Sequence, residues 1–194
     1  MGALIVAGAL VSLLSFIGRT IAAHPVLSMF VIVTVISVTV YLLVLRHRTR
    51  ARDAQERWEL EVVRSQEIAR YHAMGATEFE QALAFLCSRD GCSNAGATGR
   101  AGDLGADVVA YTPDGRKIVL QAKRYISTNK VTGPDLQRFG GTCFSVHRAG
   151  VAAVVTTSTF TKQAREYAGQ MGIRLFDAHA LAAWASRTGP APWH

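Results

Sequence analysis

Hydrophobic and polar positions divide the chain into three regimes. Residues 1–18 carry no charge, and residues 26–45 form a second uncharged run of 20 residues rich in Val, Ile and Leu. About twenty apolar residues span a bilayer as a helix, so 26–45 predicts a transmembrane helix. The first run is shorter and contains glycine. A membrane hairpin with helices over 3–18 and 26–45 is the preferred reading. A signal peptide is the alternative for the first run, but no basic segment precedes it. The pattern then turns polar. Residues 53–71 alternate acids and bases, with Asp53/Arg57 and Glu67/Arg70 at helical spacing, which predicts a charged helical stalk over 46–73.

From residue 74 the apolar positions recur at the spacings of a packed domain. Thr77 and Glu80 stand as a capping box ahead of Ala82, Leu83, Phe85 and Leu86. A glycine-rich stretch, 93–105, reads as a short strand and a loop. Ile118, Leu120 and Ala122 alternate with Lys117, Val119, Gln121 and Lys123, the period of a half-buried strand. Gly133-Pro134-Asp135 opens a helix carrying Leu136, Phe139 and Phe144, interrupted at Gly140-Gly141. The continuous apolar run 151–157 is a buried strand. A helix over 161–171 stops at Gly172, a strand over 173–176 follows, then a helix over 178–186. The order α-β-β-β-α-β-α-β-α predicts an α/β domain over 74–186, a mixed β-sheet flanked by helices. Residues 187–194 read as a loose tail.

Charge adds an orientation. The chain has 194 residues and a formal net charge of +7. Arg46, Arg48, Arg50 and Arg52 follow the second apolar run directly, and basic residues beside a span mark the cytoplasmic side. Two spans put the protein in the cell membrane as a multi-pass protein, with the domain cytoplasmic. The same arginines could touch anionic headgroups of the lipid bilayer, although a topology signal explains them without a further partner. Residues 74–194 hold 13 Lys and Arg against 9 Asp and Glu, a surplus that suits a polyanion. No base-reading motif is present. Cys87, Cys92 and Cys143 lack the paired spacing of a zinc site, and the six histidines are scattered.

The candidate chemistry sits in 102–125, GDLGADVVAYTPDGRKIVLQAKRY. Asp107 opens one strand, Pro113-Asp114-Gly115 turns the chain, and the next strand ends in Gln121-x-Lys123. Asp107 joins the face of Gln121 and Lys123 only if the hairpin pairs residues whose numbers have an even sum. A five-residue loop over 112–116 puts Asp107 directly opposite Gln121; a four-residue loop turns it to the wrong face. The site therefore requires a five-residue loop, a three-residue loop or a bulge. Phosphodiester hydrolysis needs a held water, an activating base and charge neutralisation at phosphorus. Asp107 suits Mg²⁺, which prefers oxygen ligands; Gln121 and the Ala122 carbonyl add neutral oxygens, and Lys123 would contact the attacking water and the phosphate. The competing reading is an ordinary hairpin with a loop Asp and a solvated Lys. Glu80 is either a helix cap or a metal-site acid, Asp103 a turn former or a second ligand, and Arg100 a solvated loop residue or a phosphate contact.

The residues 78–181 resemble the Mrr-like catalytic domain of type IV restriction endonucleases, in the PD-(D/E)xK nuclease superfamily. The resemblance rests on Phe79-Glu80, Gly102-Asp103-x-Gly105-x-Asp107, Gln121-x-Lys123-Arg124-Tyr125, Thr156-Thr157-Ser158-x-Phe160-Thr161 with Ala164, and Gly172-Ile173-x-Leu175. Gln121 stands where most of the superfamily has an acid, a choice common in the Mrr-like branch. The resemblance implies a restriction-endonuclease-like fold and an Mg²⁺-dependent DNA endonuclease, with Mn²⁺ as an alternative cofactor. It implies Asp107, Gln121 and Lys123 as catalytic, Glu80 as an accessory acid, and metal contacts from Asp107, Gln121 and Glu80. Restriction of foreign DNA is the role it suggests. The alternative is a membrane-tethered nucleic-acid-binding or sensing module without hydrolysis. Oligomeric state stays open.

Overall fold

The strand that ends in Gln121-x-Lys123 is central to the sheet, and its neighbours explain its two faces. A computed structural model describes residues 25–99 and 103–194. Its elements are helix α1 (Pro25–Ala73), α2 (Ala76–Arg89), β1 (Ser93–Ala97), β2 (Val108–Tyr111), β3 (Lys117–Lys123), β4 (Lys130–Val131), α3 (Gly133–Cys143), β5 (Val151–Thr156), β6 (Thr159–Phe160), α4 (Lys162–Met171), β7 (Arg174–Phe176) and α5 (Ala178–Ala185). Five strands form one sheet in the order β1-β2-β3-β5-β7, and β4 with β6 make a small second ladder. β1, β2 and β3 are antiparallel, while β3, β5 and β7 are parallel. The fold is thus α/β, a mixed sheet with helices on both faces.

Side-chain alternation separates two cores. Ile118 and Leu120 of β3 join Val108 and Ala110 of β2, Phe79 and Leu83 of α2, and Leu181 and Trp184 of α5. Val119 of β3 faces the other way, with Leu136 and Phe139 of α3 and Ala164 and Ala168 of α4. β5 is buried at every position. It lies between β3 and β7 and is covered on both faces, which is why it reads as an unbroken apolar run. Gly172 closes α4 in the left-handed region at φ 68°, where a glycine has no Cβ penalty.

Four expectations change here. The helix before the sheet starts earlier than Thr77: Gly75 is the N-cap, and its N–H donates to Glu78 Oε2 at 2.7 Å. Glu78 holds the third helical position, so Glu80 is released from capping. The expected interruption at Gly140-Gly141 does not occur. α3 runs through both, and a Cβ on Gly140 would stand 2.5 Å from the Tyr167 hydroxyl, so that glycine lets α3 and α4 approach. The tail is packed rather than loose. Trp193 is buried and meets Trp184 edge-to-face at 5.9 Å, while Arg116 and Arg174 donate to main-chain carbonyls of residues 192–194. The stalk boundary also moves.

The chain divides into two units, residues 1–57 and 58–194, so the end of the expected stalk belongs to the folded domain. Tyr71 is buried against Phe79 at 5.8 Å, and Arg64 bonds His179 and Thr188. Within the first unit, α1 includes all of the second apolar run, 26–45. The helix expected over 3–18 lies outside the described residues.

Candidate active site

β2 and β3 pair as Val108↔Leu120, Val109↔Val119, Ala110↔Ile118 and Tyr111↔Lys117. Continued one step past its last pair, Val108↔Leu120, this register sets Asp107 against Gln121. The connecting loop has five residues, 112–116, closed by Thr112 N–H to Arg116 O at 2.9 Å. Gly115 turns it at φ 83°. This is the register the site requires, and the Pro-Asp-Gly turn produces it.

The strands diverge at Asp107, where its side chain replaces a missing ladder acceptor. Asp107 Oδ2 accepts the Ala122 N–H at 2.6 Å, and its own N–H donates to Leu120 O at 3.0 Å. Burial pushes the Asp107 carboxyl up to about 6. The Ala122 N–H and the Lys123 ammonium oppose that shift, while the charges of Asp103 and Glu80 add to it. Glu80 is raised as well, by burial first and then by Asp103. Three carboxylates therefore repel one another around one corner of the sheet, a situation a cation relieves. Asp103 also forms the turn expected of it, accepting the Gly105 N–H at 3.0 Å.

Gln121 is 7% exposed, and its Oε1 has no hydrogen-bond partner among the described residues. An unpaired buried amide oxygen costs about 1–3 kcal/mol, so this atom awaits a donor or a cation. Gly105 makes the amide's position possible. Its φ is +86°, and a Cβ there would lie 3.0 Å from Gln121 Nε2. Both the backbone conformation and the close approach demand glycine.

Lys123 is held at both ends. Its carbonyl accepts the Thr156 hydroxyl at 2.6 Å, and Thr157 exchanges hydrogen bonds with Tyr125 on the next turn of chain. The Thr-Thr-Ser segment thus ties down the exit of β3. The ammonium lies 4.0 Å from Asp135 Oδ1. Asp135 sits in the first turn of α3, accepts the Thr132 N–H and hydroxyl at 3.0 and 2.7 Å, and receives Arg138 at 2.6 Å. Burial alone would raise this carboxyl; the Thr132 bonds, Lys123 and Arg138 outweigh it and hold it below the usual range. A cleft of about 370 Å³ opens over Gln121 and Lys123, bordered by Leu104, Arg138, Phe139 and Thr142.

Asp107, Gln121 and Lys123 are thus brought together, and Glu80 contributes through its charge. Among the described residues no three Asp, Glu, His or Cys side chains converge as a ready metal cage. The oxygens on offer are those a hard cation takes: carboxylates at Asp107 and Glu80 and the unpartnered amide of Gln121. Arg100 and Gly102 fall outside the described residues. Asp135 and Arg138 were missed by sequence reasoning. Their signal was the i, i+3, i+7 spacing of Asp135, Arg138 and Thr142 along a helix whose start was legible.

A restriction endonuclease family model, Mrr_cat, matches residues 71–185. No curated protein matches. Among solved structures, the restriction endonuclease MspJI in complex with a 27-mer oligonucleotide is similar at 21% identity and TM-score 0.48, covering 66% of this chain and 31% of that one. The DNA modification-dependent restriction endonuclease AspBHI is similar at 20% identity and TM-score 0.46, covering 68% and 35%. A crystallised protein of unknown function is similar at 20% identity and TM-score 0.44, covering 53% and 58%. The chain spans less than two thirds of the length of each.

Proposed function

This chain belongs to the Mrr_cat restriction endonuclease family, and from that premise we propose that it is a divalent-metal-dependent DNA endonuclease anchored in a membrane. The observation that carries the catalytic half is the β2–β3 register, which continued one step past Val108↔Leu120 sets Asp107 against Gln121, with Lys123 two residues further along β3. Asp107 and Gln121 would hold Mg²⁺ or Mn²⁺, with Glu80 as an accessory acid. When bound, the cation supplies positive charge beside the phosphorus and a more acidic water. Lys123 neutralises a non-bridging phosphate oxygen and holds the attacking water by hydrogen bonding. The raised pKa of Asp107 makes ionisation and cation uptake one linked event, since a ligating carboxylate must lose its proton.

The anchor rests on α1. Its apolar residues from Met29 to Leu45 are exposed all around the helix, and a helix apolar on every side needs an apolar surround. Thr34 and Thr39 turn their hydroxyls back onto the carbonyls of Phe30 and Val35 at 2.8 and 2.7 Å, which satisfies them without water. With the arginines at 46–52 on the cytoplasmic side, the domain meets cellular DNA and Mg²⁺. A two-span topology extends this reading to residues 3–18. The test uses full-length protein from membranes. Alkaline carbonate should leave it in the pellet, and the detergent-solubilised protein should cut plasmid DNA with Mg²⁺ and stop with a chelator. Release by carbonate contradicts the anchor; metal-independent or absent cutting contradicts the enzyme.

A further inference from the structure

Resting on the nuclease reading, we propose that α3 extends the active cleft with a phosphate site: Arg138 binds a DNA phosphate, and Asp135 is the positioning residue that aligns Arg138 and Lys123. Among the described residues, the border of the cleft carries two cations, Lys123 and Arg138, and no acid. An opening lined by one sign of charge selects the opposite sign. Thr142 spends its hydroxyl on Leu104 O at 2.7 Å, which leaves the two cations as the charged donors there.

Arg138 is not an ordinary surface residue. Its side chain is 74% exposed, yet its Nη2 is pinned 2.6 Å from a carboxylate that is only 8% exposed. Asp135 is fixed by both donors of Thr132, so the guanidinium has a rigid anchor. A guanidinium has five N–H donors in a fixed fork. One bond to Asp135 sets the plane and leaves donors for a phosphate, the bidentate partner to which arginine is matched. A helix cap with an i, i+3 ion pair would explain Thr132, Asp135 and Arg138. It does not explain why Lys123, from a strand, approaches the same oxygen. Asp135 sets the directions of both cations while its single charge leaves one of them uncompensated for the substrate.

The experiment is steady-state cleavage of plasmid by the full-length protein in detergent with Mg²⁺, over a range of salt concentrations. Arg138→Ala should raise KM about tenfold, and the slope of log KM against log salt should fall by about one phosphate contact. Arg138→Lys should recover part of the salt slope but only part of the affinity. Asp135→Asn, which keeps an acceptor for Thr132, should lower kcat at least tenfold by letting Lys123 drift, and should raise KM. In the Arg138→Ala background it should add no further rise in KM, because both changes remove one interaction. Melting curves establish that each variant is folded. Unchanged KM and salt slope in Arg138→Ala, or an Asp135→Asn loss in KM that simply adds to it, overturns this proposal alone. A wild-type protein that leaves DNA uncut overturns the nuclease reading and this proposal together.

Discussion

Ile118, Leu120 and Ala122 leave β3 on one face, Val119, Gln121 and Lys123 on the other, and the two sets differ in what burial does to them. On the first face Ile118 and Leu120 are fully buried among apolar neighbours, where each contributes roughly 1.5–3 kcal/mol of transfer free energy. On the second, Val119 is buried in the other core, but toward the end of the strand burial works against the polar groups it encloses. It leaves Gln121 Oε1 without a partner and lifts Asp107 to about 6. One seven-residue strand therefore buries apolar side chains on both faces through Leu120 and carries its chemistry on the last two odd positions, Gln121 and Lys123. Period two keeps the functions separable, since a substitution on one face leaves the other in register.

The largest effect that sharpens this comparison is on the apolar face. Leu120→Ala should cost about 2–5 kcal/mol, the range for a buried leucine that leaves a cavity, measured by denaturant unfolding of the solubilised protein. The fraction that remains folded should keep its cleavage rate. A folded Leu120→Ala protein with a hundredfold slower rate breaks the separation.

The polar face should respond with the opposite sign. In the folded state Asp107 binds its proton more tightly than an unfolded aspartate. With the metal removed, the contribution of Asp107 to stability should be largest below about pH 4 and be lost as pH rises through about 6, because the native state holds the extra proton across that window; comparing the parent with Asp107→Asn across pH isolates it. Asp107→Asn keeps an acceptor for the Ala122 N–H and loses the buried charge. At pH 7 in a chelator it should gain on the order of 1 kcal/mol, a figure discounted for partial exposure, seen as a higher Tm. It should cut no DNA. A lower Tm for Asp107→Asn would mean that the carboxylate's contacts outweigh its desolvation.

A smaller change is expected at Gln121→Glu. The new carboxylate faces Asp107, so like-charge repulsion should push the Asp107 proton to higher pH. Cleavage should survive within a few-fold at its best pH, and the acid limb of the pH–rate profile should move upward. An unmoved limb would separate Gln121 from Asp107 electrostatically.

Local signals were the legible ones. Parity was enough to limit a working site to a five-residue loop, a three-residue loop or a bulge, and the loop over 112–116 takes the first of these, since the turn depends on a few adjacent residues. Gly172 and the apolar run of β5 were legible for the same reason. The helix start at Gly75 was missed because Glu78 reaches a glycine N–H, and glycine at an N-cap leaves no side-chain signature. Asp135 was missed because its meaning comes from Lys123, on a different element. The packed C-terminus depends on Arg116 and Arg174, each far from residues 192–194 in sequence. β4 and β6 are two residues each, too short for any periodicity to announce them.

The central claim is that Asp107 and Lys123 act at the reacting phosphate. Its most direct test is the initial rate of plasmid cleavage at saturating Mg²⁺ by the full-length protein and its Asp107→Ala and Lys123→Ala variants, with circular dichroism to establish folding. Both variants should be slower by on the order of a hundredfold or more, the loss typical of a group acting directly on developing charge. Folded variants that cut as fast as the parent would place the active centre elsewhere.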